Sequence, residues 1–387
     1  MDYTEDPTHR EIREAVRALC KRFPDEYWME HDTSHEFPWG FYDAVRDAGW
    51  LGLTIPEEYG GGGLGVTEAG IVEREIAASG AGMGGCSAVH IGIFGFHPII
   101  EHGSESLKRR FLPQAVSGEL HVSFAVTEPD AGTDTTNIST AARKVDGGWI
   151  VTGKKVWITK AQESGRMLLL ARTSPKDPNR KTHGLTLFFA EIDREKVQVR
   201  EIPKMGRNAV DTNELFIDEL FVADEDVVGE VDRGFRTILG GLNAERVISA
   251  NAALGIGEAA VRRGVAYAKQ RAVFGRAIGQ NQGIAFPLAE ARIRLDAAEQ
   301  VVERAAWLVD KGVPCGREAN AAKYLCAEAG FFAADVALQV HGGFGYGKEF
   351  HVERYFREAR LMRIAPISQE MVLNYTAEHV LGLPRSY

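Results

Sequence analysis

Cysteine is scarce in this sequence, and its four cysteines stand far apart. Cys20, Cys86, Cys315 and Cys326 form no C-x-x-C pair, and no cluster of histidines accompanies them. A disulfide framework and a zinc site would both need closer, patterned spacing. The sequence therefore supports neither of them, predicts no metal site, and indicates a protein of a reducing compartment.

Basic charge is also in deficit. The 45 lysines and arginines are outnumbered by 54 aspartates and glutamates, which gives a formal net charge of -9. A nucleic-acid-binding protein would present a basic surface to the phosphates, so that class is disfavoured. The acidic start at 2–6 lacks the basic and apolar character of a leader, and we expect no apolar stretch to span a bilayer. We therefore expect a soluble cytoplasmic protein with neither a nucleic-acid nor a membrane partner.

The hydrophobic pattern changes its period twice along the 387 residues. Up to about residue 119, and again from Phe235 to the end, apolar residues recur at helical spacing. Between 122 and 231 the apolar runs are short, β-branched and aromatic, which predicts strands. Because parallel strands need long crossovers, the tight spacing favours an antiparallel barrel or sandwich. The sequence predicts an α+β multidomain fold: an N-terminal helical domain (1–121), a middle antiparallel β domain (122–232) and a C-terminal four-helix-bundle-like domain (233–387).

Two motifs of the middle region place polar groups at strand ends. The segment 124–134 reads FAVTEPDAGTD and offers backbone N–H groups and short hydroxyls to a polar planar ligand. Taken alone, such a segment is more often an ordinary Asp/Thr turn. The segment 156–159 reads VWIT and sets an aromatic ring beside a hydroxyl, although it could also be a strand with one buried face.

Two further motifs lie in the C-terminal region. The segment 270–276 reads QRAVFGR and is followed by Asn281 and Gln282, so a predicted helix ends in arginines and an aromatic ring. The segment 339–347 reads QVHGGFGYG, where successive glycines let a backbone approach a ligand closely. Arginines and free backbone N–H groups suit a pyrophosphate.

In their order and in this helix–β–helix layout, the four motifs resemble the acyl-CoA dehydrogenase family. The resemblance covers nearly the whole chain, from the PEEYG loop at 56–60 to the C-terminal helix. It implies an FAD cofactor, an acyl-CoA substrate and an electron-transfer flavoprotein as the electron acceptor. It also implies a homotetramer, built as a dimer of dimers, in which FAD lies between subunits.

By this resemblance, the cofactor-binding residues form two sets. The first set would line or hydrogen-bond the flavin ring: Phe124, Val126, Thr127, Gly132, Thr133, Trp157 and Thr159. The second set would reach the adenine-diphosphate half of a neighbouring subunit's FAD: Arg271, Phe274, Gln282, Gln339, Gly342 and Gly343. The predicted substrate-binding residues are Thr133, Leu242, Arg246 and Ile367.

The reaction that the resemblance implies, α,β-desaturation of the acyl chain, needs a base for the α-proton. Many family members carry this glutamate near the C-terminus, where this sequence has Pro366, whose side chain cannot accept a proton. Isovaleryl- and long-chain-type members place it in a Leu-x-x-Glu-Arg segment, which here falls on Glu245 and Arg246. Apolar neighbours would raise the proton affinity of Glu245. Glu245 is the predicted base, against two alternatives: a solvated glutamate on a helix face, and Glu370 as the base.

Pro366 has a second consequence, because proline has no N–H. In relatives a backbone N–H of this turn helps to polarise the thioester carbonyl, so Ala365 or Ile367 would have to supply it. The pair Phe94 and Phe96 hints at a short or ring-bearing acyl chain. A flavin oxidase or monooxygenase on the same fold and a non-catalytic flavin-binding scaffold stay open, although Glu245 counts against both.

Overall fold

The computed structural model describes residues 6–386. The acidic residues at 2–5, on which part of the expectation of no leader rests, lie outside them. The first region is helical, as predicted, and its helices are α1 (Pro7–Cys20), α2 (Asp25–Ser34), α3 (Trp39–Asp47), α4 (Val66–Ile76), α5 (Gly82–His90), α6 (His97–His102) and α7 (Glu105–Val116). Asp6 caps the N-terminus of α1, because its carboxylate accepts a 2.8 Å hydrogen bond from the N–H of Thr8. Ser104 caps α7 in the same way, and its hydroxyl accepts from the N–H of Leu107.

The stretch Val66–His102 corrects one expectation. By length and composition it could cross a membrane, whereas we expected no such stretch. It is not one regular helix, because π-helical turns at 77–81 and 91–95 separate α4, α5 and α6. In addition, 61% of its most apolar window is buried inside the fold. A core helix of this kind passes the same test of length and composition, so the stretch is weak evidence for a membrane span.

The middle region forms a sheet, as predicted. Its strands are β1 (Val122–Ala125), β2 (Ala141–Val145), β3 (Gly148–Thr159), β4 (Arg166–Arg172), β5 (Leu185–Glu191), β6 (Val197–Glu201), β7 (Thr212–Ala223) and β8 (Val227–Val228). They lie in the order β6-β7-β3-β2-β4-β5-β8, with β1 paired to β4. Most pairs are antiparallel, but β1 and β2 run parallel to β4. The connections that include β2 and β3 are long enough for these crossovers.

The last region is again helical: α8 (Gly234–Gln270), the two-residue strands β9 (Ala272–Val273) and β10 (Arg276–Ala277), α9 (Gln282–Asp310), α10 (Gly316–His341), α11 (Val352–Leu361) and α12 (Gln369–Tyr375). Helices α8 and α10 pack closely, because a Cβ at Gly330 would lie 2.3 Å from the carbonyl oxygen of Ala253. Arg74 of α4 pairs with Glu258 of α8 and Glu299 of α9. The N-terminal helices and the C-terminal bundle thus share one apolar core.

Candidate active site

Glu245 lies in α8 and faces His90, the last residue of α5. The Nε2–H of His90 donates to both carboxylate oxygens of Glu245, at 2.9 Å each. The Nδ1–H of the same ring donates to Oε1 of Glu73 in α4, at 3.2 Å. The side chain of Glu73 is 1% exposed, whereas that of Glu245 is 27% exposed. One imidazole therefore bridges a buried carboxylate and an accessible one.

The electrostatics of this cluster differ from the sequence prediction for Glu245. Burial favours the protonated acid, as expected, but the charge of His90 and its hydrogen bond outweigh burial, and the pKa of Glu245 is lowered. Burial likewise opposes a charge on His90, yet Glu245 and Glu73 raise the pKa of His90 well above its ordinary value. The predicted rise in proton affinity is therefore wrong in direction. The direction of the pKa shift of Glu245 is decided by His90, which lies 155 positions away in the sequence.

Glu370, the alternative base, lies in the first turn of α12 and is exposed. Backbone and Ser368 hydrogen bonds lower the pKa of Glu370, so it is held as a capping carboxylate at the surface. Near Pro366, the N–H of Ala365 donates to the carbonyl of Leu361 at 3.0 Å. The N–H of Ile367 has no such partner among residues 6–386. Among the described residues, Glu370 thus lies at the surface, and Ile367 rather than Ala365 has a backbone N–H without a backbone partner.

A cavity of about 410 Å³ lies beside α8, and the residues that line it on this helix directly precede Glu245 in the sequence. Asn243 and Ala244 line it on one side. Phe94 and His97 line it on another, with their rings stacked and their centroids 5.2 Å apart. An aromatic pair and the α8 residues next to the candidate base therefore form part of the wall, and residues of the connection from α9 to α10 form another part.

The predicted substrate-binding residues do not line this cavity: Thr133, Leu242, Arg246 and Ile367. Leu242 packs instead against the core beneath the sheet. Arg246 donates to Oδ1 of Asn243 at 2.8 Å, and Asn243 is a lining residue. Arg246 thus reaches the cavity only through Asn243, and the four assignments stay predictions.

The two flavin motifs of the middle region meet at the ends of β1 and β3. The N–H of Val156 donates to the carbonyl of Thr127 at 3.0 Å, which joins the two segments directly. Trp157 follows with a φ of 63° and an exposed fraction of 59%. A register shift in the pairing of β3 with β7 accompanies this conformation. Thr159 then ends β3, so a large aromatic face and a hydroxyl are presented beside the loop after β1.

The other members of this first set differ in accessibility. Phe124 and Val126 are half-buried against the core beneath the sheet. Gly132 and Thr133 are exposed, and a Cβ at Gly132 would meet no atom within 4 Å. The loop thus offers open backbone rather than a filled turn, which fits a ligand lying against it.

A buried ion pair fixes this loop. Nζ of Lys155 lies 2.9 Å from Oε1 of Glu128, and their side chains are 0% and 4% exposed. Glu128 also accepts hydrogen bonds from the N–H groups of Ser139 and Thr140. Lys155 donates a second bond to the carbonyl of Val126. The buried ion pair and its hydrogen bonds therefore fix the end of β1 and the loop that follows it.

Part of the second cofactor set lines a groove of about 470 Å³ at the end of α8 and α10, whereas Phe274, Gln282 and Gln339 do not line it. Arg271, Gly342 and Gly343 line it, and the guanidinium of Arg271 lies 5.6 Å from the ring centroid of Phe344. A Cβ at either glycine would meet no atom within 4 Å. An arginine beside open backbone is a suitable donor set for a pyrophosphate.

All members of the second set are exposed in the single chain: Arg271, Phe274, Gln282, Gln339, Gly342 and Gly343. Phe274 is 100% exposed at the tip of the β9–β10 hairpin. An aromatic side chain with no cover in its own chain fits contact with another molecule.

Sequence reasoning missed several residues of this site. His90 and Glu73 hold the candidate base, and His97 and Asn243 line the cavity. Arg207 approaches Thr159 from the loop before β7. None of them belongs to a motif with fixed spacing, because each reaches the site through tertiary packing. A lone histidine at a helix end carries no signal in the sequence.

Comparison with known proteins agrees with this architecture. Three family models match: the acyl-CoA dehydrogenase N-terminal domain at 6–119, the middle domain at 123–220 and the C-terminal domain at 232–381. The acyl-CoA dehydrogenase FadE12 of Mycobacterium tuberculosis is 36% identical over 389 residues, covering 100% of this chain and 99% of the relative.

Two solved structures superpose over the whole fold. A glutaryl-coenzyme A dehydrogenase in complex with glutaryl-CoA has a TM-score of 0.90 at 28% identity, covering 100% of this chain and 98% of that one. A chain solved in work on the electron transferring flavoprotein of Acidaminococcus fermentans has a TM-score of 0.92 at 28% identity, covering 98% and 100%. The chain belongs to the acyl-CoA dehydrogenase family of FAD-dependent oxidoreductases that act on CH–CH donors.

Proposed function

We propose that this enzyme dehydrogenates an acyl-CoA thioester to the trans-2-enoyl-CoA with Glu245 as the base. The observation that carries the proposal is the placement of Glu245, which is held by His90 and directly follows the cavity-lining residue Ala244, while Glu370 is exposed at the surface. The base would take the α-proton, and the β-hydrogen would leave as hydride.

The residues present fit FAD. Trp157 and Thr159 would meet the flavin ring, and Arg271 with the open backbone at Gly342 and Gly343 would hold the pyrophosphate. When bound, FAD supplies the hydride acceptor. The exposure of the second set supports the family arrangement in which these residues serve a neighbouring subunit.

The thioester carbonyl needs a donor aimed at the oxygen that becomes negative as the α-proton leaves. The N–H of Ile367 is free for this role, whereas that of Ala365 is committed to Leu361. We therefore assign carbonyl polarisation to Ile367. Its position beside Pro366 places it in the turn that relatives use for the same purpose.

The cavity supports a short or ring-bearing acyl chain. The stacked rings of Phe94 and His97 form a flat wall, and Phe94 is 6% exposed. Phe96, the other predicted pocket residue, does not line the cavity and packs against Phe189 instead. Phe94 is therefore the residue expected to set chain length.

Electrons would pass to an electron-transfer flavoprotein, as is usual in this family, and the similarity to a chain studied with such a protein supports this acceptor. A flavin oxidase or monooxygenase on the same fold is the alternative. It would react rapidly with oxygen after reduction, whereas a dehydrogenase would not.

We also propose a cytoplasmic homotetramer, built as a dimer of dimers. Large apolar side chains recur on α9 at exposed positions, among them Phe286, Ile293 and Trp307, which are 61%, 67% and 57% exposed. They stand at spacings of seven residues or multiples of seven, so they lie along one stripe of the helix. Covering such a stripe is the ordinary function of a subunit interface.

The reaction class is tested by anaerobic titration of the purified yellow protein with short, branched, medium, long and aromatic acyl-CoAs. Loss of the visible flavin band with one class identifies the substrate class and supports the proposal. Failure of every acyl-CoA to bleach the flavin would favour a non-catalytic flavin-binding scaffold.

His90→Gln is expected to move the acidic limb of the kcat/KM profile to higher pH. Glu245 acts only as the carboxylate, and the His90 charge lowers the pKa of Glu245 in the free enzyme. Without that charge the pKa rises, so a higher pH is needed to ionise the base. Glu73→Gln is the control: Glu245 contributes more than Glu73 to the raised pKa of His90, so His90 stays charged and the limb should move less than in His90→Gln. A limb that stays in place or moves to lower pH in His90→Gln would contradict this assignment.

Phe94→Ala is expected to shift the preference toward longer acyl chains. Removing the ring lengthens the cavity, and each additional methylene that finds room contributes about 1–3 kcal/mol to transition-state binding. The measurement is kcat/KM over a homologous series of acyl-CoAs. Phe96→Leu is the control, because Phe96 packs outside the cavity and its variant should change stability without changing the preferred chain.

A further inference from the structure

Arg207 occupies an unusual position between β6 and β7. Its Nη1 donates to the hydroxyl of Ser87 at 3.2 Å, and its Nη2 donates to those of Thr159 at 3.2 Å and Thr212 at 2.6 Å. These hydroxyls come from α5, β3 and β7, so one guanidinium joins the N-terminal helices to two strands of the sheet. All three acceptors are neutral.

The charge of Arg207 is poorly compensated. Its Nε is buried and has no hydrogen-bond partner in the described part of the chain. Burial lowers the pKa of Arg207, and only the more distant charges of Asp211 and Glu358 oppose this effect. Arginine nevertheless stays protonated in proteins. A half-buried cation whose buried Nε has no partner and whose bonded acceptors are all neutral costs stability, so its presence at this place points to a function.

The direction of the hydrogen bond to Thr159 matters. Thr159 accepts from Arg207, which leaves the hydroxyl proton of Thr159 free to be donated elsewhere. Within residues 6–386 no acceptor takes that proton. The hydrogen bond from Arg207 therefore polarises the O–H of Thr159. This hydroxyl lies at the end of β3, where the flavin ring is proposed to lie.

We propose that Arg207 is a positioning residue that acts through the Thr159 hydroxyl to raise the reduction potential of the bound flavin. This inference rests on the proposed contact between Thr159 and the flavin ring. In the proposed reaction Glu245 would take the α-proton, and FAD, when bound, would supply the acceptor for the hydride and its two electrons, so that negative charge would build up on the ring. Arg207 keeps its proton throughout, and its positive charge stabilises the reduced ring more than the oxidised one.

The experiment is a reductive titration of the purified FAD-bound enzyme against a redox dye of known potential. Wild type, Arg207→Gln, Arg207→Lys, Thr159→Val and the double variant Arg207→Gln/Thr159→Val are compared. Arg207→Gln should lower the equilibrium constant for flavin reduction about tenfold or more, which is about 30 mV for a two-electron couple. Arg207→Lys keeps the charge and should recover part of the shift.

The double variant separates this role from a structural one. If Arg207 acts through Thr159, the effect of Arg207→Gln should shrink to less than half in the Thr159→Val background, because coupled residues are not additive. Arg166→Gln is the matched control. Arg166 is another half-buried arginine of the sheet, but it is paired with Asp226 at 2.6 Å, and its loss should leave the potential unchanged.

The outcomes are distinguishable. An unchanged potential in Arg207→Gln, with native flavin content and melting temperature, would reduce Arg207 to a structural tie and overturn the inference. If Arg207→Gln does not fold, Thr159→Val and Arg207→Lys decide: a potential unchanged in Thr159→Val also overturns it. A wild-type protein that binds no flavin would instead defeat the proposed function itself.

Discussion

Replacement of Glu245 by glutamine is expected to lower kcat by about 10²- to 10⁴-fold, the contribution of a positioned general base. Glutamine has nearly the shape of glutamate but cannot accept the α-proton. His90 can still donate one hydrogen bond to the amide oxygen, so the position of the side chain is retained. Turnover is measured with the best acyl-CoA and an artificial electron acceptor, with flavin content held equal.

Glu370→Gln is the matched control for this prediction. Glu370 lies in the first turn of α12 and is exposed, so its variant should keep the wild-type kcat. The reverse pattern, with Glu370→Gln inactive and Glu245→Gln active, would move the base to the C-terminal segment. Circular dichroism and melting curves of both variants show whether either loss of activity follows from unfolding.

Glu128→Gln is expected to destabilise the protein by about 3–5 kcal/mol, because it removes the buried partner of Lys155, whose pKa burial already lowers to about 8. Burial alone would raise the pKa of Glu128, but the charge of Lys155 and the hydrogen bonds from 139 and 140 lower it to about 2. Flavin content should fall as well, since the pair holds the loop after β1. The free energy of unfolding is measured by denaturant titration.

The control is a surface ion pair of the same sheet. Lys144 and Asp224 are about half exposed, so Asp224→Asn should cost about 1 kcal/mol or less. The pH dependence gives a second test. The folded pKa of Glu128 lies below its ordinary value of 4.5, so its contribution is present above pH 4.5 and is lost as pH falls toward 2. The stability that is lost between pH 4.5 and pH 2 should therefore be smaller in Glu128→Gln than in wild type. An equal loss in the two proteins would show that the ion pair contributes little.

Much of the fold could be predicted from periodicity. The strands predicted between 122 and 231 form the sheet, the segment 156–159 lies in β3, and the region from Phe235 onward is helical, as its apolar spacing indicated. The parallel pairing of β1 with β4 was not predictable, because strand order depends on how a chain crosses a sheet rather than on local pattern. The apolar stretch at 66–102 was missed because small residues and glycines dilute its hydropathy, and π-helical turns interrupt its period.

The candidate site was predictable only where a motif has fixed spacing. In the structure Arg271, Gly342 and Gly343 of the second cofactor set line one groove. The resemblance predicted these residues, the rest of the two sets and Glu245. It could not supply His90, whose charge reverses the expected direction of the pKa shift of Glu245. It also could not supply Arg207, which reaches Thr159 across 48 positions of sequence. Electrostatic partners of this kind are set by packing, so they become visible only in three dimensions.

The central claim is that Glu245 takes the α-proton of an acyl-CoA as its β-hydrogen reduces the flavin. The most direct test is rapid anaerobic mixing of wild type and Glu245→Gln with the acyl-CoA that bleaches best, followed by mass analysis of the product. The account predicts that wild type bleaches its flavin and forms an equal amount of enoyl-CoA, while the variant binds the same acyl-CoA with its flavin oxidised. Bleaching of the variant at the wild-type rate would contradict it and place the base elsewhere.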